Sequence, residues 1–133
     1  MRLCTNMPMT PCEYIKKALR TCHKDGEYDF RGVHGVTPGI EHAVLGMASE
    51  AGELVDAIKK AKIYGHTLDR INLVEEAGDC FWYLALLCHE LNVSFEEVWE
   101  KNISKLKVRY PGKWSKARAI QRDHKKERKI FGK

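Results

Sequence analysis

Apolar side chains recur at helical spacing along three segments of the chain. Ile40, Val44, Met47, Ala51, Leu54 and Ile58 make one stripe, Leu73, Ala77, Cys80, Leu84, Leu87 and Leu91 a second, and Phe95, Trp99, Ile103, Leu106 and Tyr110 a third. The residues between them punctuate in agreement. Thr37-Pro38 starts a helix to Ile63 with Gly65 available as its stop. Thr67 and Asp69 open the next, which Asn92 closes, and Ser94-Phe95-Glu96-Glu97 is a capping box for a helix that Pro111-Gly112 ends. Upstream, Thr10-Pro11-Cys12-Glu13 joins a capping box to a proline at the first helical position, so a shorter helix is expected from Pro11 to Cys22. Downstream, Ser115 is placed to cap a fifth, mostly polar helix through Arg128. No segment alternates apolar and polar residues as a strand would, and the short links at 64–66 and 92–93 favour antiparallel neighbours. The expected class is all-α. Residues 24–39, with Gly26, Gly32, Gly35, Pro38 and Gly39, read as a loop long enough to be a functional lid or an insertion.

At 133 residues the chain is read as one domain, 1–133, able to bury a core but too small for a deep cleft between two lobes. Oligomerisation would make up that lack. No stretch approaches the roughly eighteen apolar residues needed to span a bilayer, and Met1 to Asn6 lacks the apolar centre of a signal peptide, so a cytoplasmic protein without membrane contact is expected. Five cysteines (Cys4, Cys12, Cys22, Cys80, Cys88) without a C-x-x-C pair argue against a zinc ribbon or a disulfide framework. Cys80 and Cys88, inside an apolar helix, read as small core residues. The net charge of +5 is concentrated in the C-terminal extension, since residues 105–133 hold twelve Lys or Arg against Asp123 and Glu127. Such an end faces a polyanion, whether nucleic acid, a membrane surface or the phosphates of a nucleotide, or else is a solvated tail.

The candidate chemistry lies in two carboxylate motifs, Glu50-Ala51-Gly52-Glu53 and Glu76-Ala77-Gly78-Asp79, placed almost symmetrically about the turn at 64–67. Acids three apart share a helix face, and Glu53 and Glu76 each lie roughly 17 Å from the turn along their helices. Folding back at Gly65 brings all four carboxylates to one level. Two carboxylates about 4 Å apart repel by about 1 kcal/mol in water and about 4 kcal/mol at an effective dielectric of 20, so the group calls for a cation. Hard oxygen ligands without Cys or His suit Mg²⁺, or Mn²⁺, with waters retained for the oxygens of a phosphate. The plain alternative is two solvated acidic faces.

These residues belong to stripes one position before the apolar ones: Gly46, Glu50, Glu53, Ala57; then Asn72, Glu76, Asp79, Tyr83; then Val98, Asn102, Lys105, Arg109. Each stripe is turned by about 100° to the same side, an arrangement that lines a pocket beside the core. A di-iron carboxylate bundle would need Glu-x-x-His, and no histidine here has Glu three residues before it. A different class of function, a non-enzymatic helical module that binds nucleic acid or a partner through 105–133, remains as the alternative and predicts steep salt dependence.

Ala48-Ser49-Glu50-Ala51-Gly52-Glu53-Leu54, Lys59-Lys60, Glu75-Glu76-Ala77-Gly78-Asp79, and Asn102-Ile103-Ser104-Lys105-Leu106 with Arg109-Tyr110-Pro111 together resemble the MazG-like nucleoside triphosphate pyrophosphohydrolases. The likeness covers about residues 40 to 130 and includes a C-terminal extension similar to that of phage-type and bacterial members. It implies hydrolysis of a (d)NTP between the α and β phosphates, with Mg²⁺ held by Glu50, Glu53, Glu76 and Asp79. It also implies an antiparallel bundle of four-helix character, assembled as a homodimer or homotetramer. Some members carry a further acid before the first glutamate, where this chain has Ser49. In the mechanism such a site suggests, Glu50 orients the attacking water, and Lys105 and Arg109, one turn apart, contact phosphates; a solvated basic face is the alternative for both. Lys59 or Lys60 could assist, with Lys60 preferred. Asn102 could bond the sugar or base, or be a structural amide. Of Trp82 and Tyr83, the latter is the better stacking candidate because it shares a face with Asp79. His34 and His42 merit alanine tests. The reading favours a nucleotide substrate over nucleic acid.

Overall fold

The structure is a computed structural model that describes residues 9–22 and 35–132. Most of the 24–39 loop, including His34, lies outside the described residues, as does Cys4. Six α-helices follow in order: α1 (Pro11–Ala18, extended by a 3₁₀ turn over Leu19–Thr21), α2 (Pro38–Tyr64), α3 (Arg70–Glu90), α4 (Phe95–Arg109), α5 (Lys116–Ile120) and α6 (His124–Lys129). The described residues include no strand. None of these helices is long and apolar enough to cross a membrane.

The caps read from the sequence form as hydrogen bonds. Thr10 Oγ1 accepts from Glu13 N at 3.2 Å while Glu13 Oε2 accepts from Thr10 N at 2.7 Å, the reciprocal pair of a capping box. Asp69 accepts from the amides of Ile71 and Asn72, and Ser94 from that of Glu97. Gly65 ends α2 in the left-handed region (φ 71°), which lets its amide and that of His66 both return to the Lys60 carbonyl.

The chain forms two compact units, one ending at Val93 and the other beginning at Ser94. In the first, α2 and α3 run antiparallel. Thr37 Oγ1 caps Ile40 and donates to Glu90 Oε2 at 2.5 Å, so the start of α2 is tied to the end of α3. Gly39 lies beneath the same carboxylate, where a Cβ would overlap it. α1 packs on α3: Trp82 Nε1 donates to the Ala18 carbonyl and to Thr21 Oγ1, both at 2.9 Å, and Tyr14 Oη donates to the Gly78 carbonyl at 3.3 Å.

The seam between α2 and α3 corrects the expected core. Gly39 meets Glu90 and Gly46 meets Tyr83 across it, and Ala43, Ala85 and Leu86 are fully or almost fully buried. On α2 the stripe expected to be core is only partly covered, since Val44, Ala51 and Ile58 are exposed while Met47 and Leu54 are half-buried. The reason is steric. Small residues at 39, 43 and 46 let α3 approach the α2 backbone closely, and this turns the acid-bearing stripe into the contact face. Cys88 is buried and Cys80 half-buried, in line with their reading as small core residues.

In the second unit, α4 contacts α6. Phe95 is buried and stacks on Trp99 with ring centroids 5.8 Å apart. The single fifth helix expected from Ser115 to Arg128 is two short helices instead. α5 stops at Ile120, and α6 restarts under its own cap, with Asp123 Oδ1 accepting from Lys126 N at 3.0 Å. The break lets Glu127, only 4% exposed, turn inward to Arg109 and Arg122.

Candidate active site

Three of the four acids converge. Glu50 on α2 and Glu76 and Asp79 on α3 each offer a carboxylate oxygen, and these oxygens lie within 4.8 Å of one another. Asn72 Nδ2 donates to Glu76 Oε1 at 2.6 Å, one turn away on the same helix, and so orients that carboxylate. The environment holds Glu50 above the ordinary carboxylate pKa. Burial is the largest cause, followed by a hydrogen bond with the Glu76 side chain and the negative charges of Asp79, Glu76 and Glu53. Each of these influences favours the protonated form of Glu50. A divalent ion with oxygen ligands fits this donor set.

Glu53 departs from the expected single level. It is not one of the converging three, although its charge reaches Glu50. It is exposed and lines a separate polar cavity of about 440 Å³ near the 65–69 turn, together with Lys60, His66, Thr67 and Asn72. There Lys60 Nζ pairs with Asp56 Oδ2 at 2.7 Å. Three residues on from Glu50, Glu53 is offset from it by about 60° around α2 and about 4.5 Å along it, toward the 65–69 turn.

On its other side the carboxylate group opens into a cavity of about 410 Å³, lined by Thr21, His42, Glu50, Asp79, Trp82 and Tyr83. Tyr83 therefore lies beside the acids, as its spacing from Asp79 suggested. Thr21 had no signal in the sequence, since it enters only through the packing of the 3₁₀ turn on Trp82. Tyr14 was likewise unmarked, yet Asp79 adds to burial in raising its phenol pKa.

Asn102, Lys105 and Arg109 lie on α4, in the second unit. Asn102 is exposed, and Lys105 Nζ sits 5.7 Å from the centroid of the Phe131 ring. Arg109 is engaged with Glu127 through Nε–H to Oε1 at 2.9 Å and Nη2–H to Oε2 at 2.5 Å. Arg122 shares the same carboxylate, with Nη2 at 2.7 Å from Oε2.

The helical hairpin thus gathers, from an E-x-x-E and an E-x-x-D segment, three carboxylates that could hold a metal ion. The chain matches the MazG nucleotide pyrophosphohydrolase domain over residues 39–114, more than half its length, and belongs to that family. That family is described as a nucleotide pyrophosphohydrolase domain. It is also similar to the Gene 37 protein of Mycobacterium phage L5, 32% identical over 75 residues, a span that covers 53% of this chain and 66% of that relative. No solved structure matches the chain.

Proposed function

We propose that this protein hydrolyses nucleoside or deoxynucleoside triphosphates between the α and β phosphates, releasing the monophosphate and pyrophosphate in a Mg²⁺-dependent reaction. The observation that carries the reading is the convergence of Glu50, Glu76 and Asp79 from two helices inside the segment matched by the family. These three would hold Mg²⁺, or Mn²⁺, with Glu53 as a further ligand from the adjoining cavity. When bound, the ion neutralises phosphate oxygens and makes a water more acidic. Glu50 would orient the attacking water and take its proton. Lys60 contributes positive charge to the phosphates, and Tyr83 contacts the nucleoside. The family resemblance adds Asn102, Lys105 and Arg109 of the second unit as residues for substrate binding, with Arg109 held in orientation by Glu127. The family match runs across the boundary at Val93–Ser94, which supports one functional domain of four-helix character.

The reading is tested by incubating the protein with Mg²⁺ and each of the eight common nucleotides, with oxidised and deoxyuridine analogues added. Pyrophosphate and monophosphate are expected in equal amounts from at least one substrate, and neither in the presence of EDTA. Silence across the whole panel would overturn the assignment in favour of the binding module.

We also infer a homodimer or homotetramer. Val44, Val55 and Ile58 share one exposed α2 face with Ala48 and Ala51, an apolar stripe for which a second copy is the natural cover. Light scattering should give a mass at least twice the 15.3 kDa of the chain. Val55→Glu with Ile58→Glu should lower it, whereas a monomeric wild type would end this inference.

A further inference from the structure

The two compact units of the chain differ in the sign of their charge. Residues 94–133 hold thirteen Lys or Arg against five Asp or Glu, whereas residues 1–93 hold ten against thirteen, so the whole positive excess of the chain belongs to the second unit. Ion pairing neutralises only part of it. Lys101 pairs with Glu97, Arg109 and Arg122 share Glu127, and Lys126 reaches Asp123 at 3.5 Å. Lys113, Lys116, Arg118, Lys125, Arg128 and Lys129 are exposed and have no ion pair among the described residues. We propose that this surface of the second unit binds single-stranded nucleic acid, with these six cations on the phosphates and Trp114 stacked on a base.

Folding, and not composition alone, turns this charge outward. On α6, Lys125, Arg128 and Lys129 are spaced three and four residues apart and share one helix face, while Glu127 projects about 150° round from the centre of that face. Glu127 is buried against Arg109 and Arg122, so the cationic face of α6 is held toward solvent. Trp114, 69% exposed, follows Lys113 and stands two residues before Lys116. An indole left in water among cations offers an unpaired base a stacking face, and a strand that stacks there brings its phosphates to the lysines and arginines. A duplex hides the faces of its bases. A membrane surface would draw the same charge but asks for a continuous apolar face on a longer helix. After Tyr110 the exposed large apolar side chains among the described residues are Trp114, Ile120 and Phe131, and α5 and α6 are only five and six residues long.

This binding goes beyond the pyrophosphohydrolase reading and does not rest on it. Its test follows the fluorescence anisotropy of a labelled oligothymidylate, which carries no triphosphate, with the full chain in EDTA. Saturable binding is expected, with log affinity falling against log salt at a slope of about −4, the value for six phosphates neutralised on a single strand. Lys125→Gln with Arg128→Gln and Lys129→Gln should halve that slope, since half of the cations are gone. Trp114→Ala should weaken binding by about tenfold at unchanged slope, and Trp114→Phe should recover most of the loss. All four positions are exposed, so the circular dichroism of these variants should match wild type, as should their pyrophosphate release. Asp79→Asn should bind the strand like wild type. A duplex of the same length bound as tightly as the strand, phosphatidylserine vesicles bound more tightly than the strand, or a slope unchanged by the triple substitution overturns the proposal. Strand binding without pyrophosphate release sinks the activity and spares this site. Pyrophosphate release without strand binding does the opposite.

Discussion

Asp79→Asn is expected to lower pyrophosphate release by about 10²–10³-fold, with α-helical content unchanged. The substitution is nearly isosteric, and Asp79 is exposed at the mouth of the site, so little packing is lost. What goes is one of three converging carboxylates, and with it charge that would hold a divalent ion. Thermal melts in the absence of substrate give a second readout. Mg²⁺ should raise the melting temperature of the wild type and leave that of Asp79→Asn unmoved. Glu50→Gln should abolish turnover as well, and it should stabilise the metal-free protein. The sign follows from linkage. A carboxyl with a folded-state pKa above its ordinary value of 4.5 costs stability when ionised, and that cost disappears as pH falls through the raised value. The metal-free wild type should therefore gain stability on mild acidification, whereas Glu50→Gln should not. An Asp79→Asn protein that keeps a tenth or more of wild-type activity would remove the acids from the reaction.

Glu127→Ala is expected to release α6 from α4. Its carboxylate is the shared acceptor for Arg109 and Arg122, and it is the buried charged side chain among the described residues. Truncation leaves two guanidinium groups facing each other with no anion between them, the costly way to break a buried pair. Hydrogen exchange at 124–130 should accelerate by at least about tenfold, while the α2–α3 hairpin, a separate compact unit, keeps its protection. Hydrogen bonds from Arg109, then Arg122, hold the Glu127 carboxyl far below the ordinary range. A depressed pKa contributes stability that is present above the ordinary value and lost only as pH falls through the depressed one. Protection of α6 should thus survive at about pH 3, where most exposed carboxylates are protonated. Unchanged exchange in Glu127→Ala would mean that the ion pairs are incidental to the extension.

Local physics explains why much of this was legible in one dimension. A threonine three residues before a glutamate, a proline at the first helical position and a glycine after the last turn act within a few residues, and α1, α2, α3 and α4 begin and end close to where those signals lie. Acids three apart share a face by helix geometry alone, so Glu76 and Asp79 were bound to lie together. Glu50 joins them because the turn at Gly65 sets the hairpin register to within about one turn. Finer than that, local rules do not reach. Whether 40–44–47 or 39–43–46 forms the α2 seam depends on which side chains on α3 need room, and Tyr83 and Glu90 take theirs over Gly46 and Gly39. The tail holds a contact that chain order does not announce: Glu127 finds two arginines, one of them 18 residues away.

The sequence by itself determined the all-helical class, the ends of the long helices and the acids that can meet across one turn, because each depends on hydrogen bonds and spacings within a few residues. Tertiary structure alone decided that Glu53 would stand apart from Glu50, Glu76 and Asp79, that Thr21 and His42 would wall the aromatic cavity, and that Glu127 would turn inward. Each of those outcomes depends on the rotation of one helix against another, which is chosen by close packing and ion pairing between residues that the chain order does not bring near.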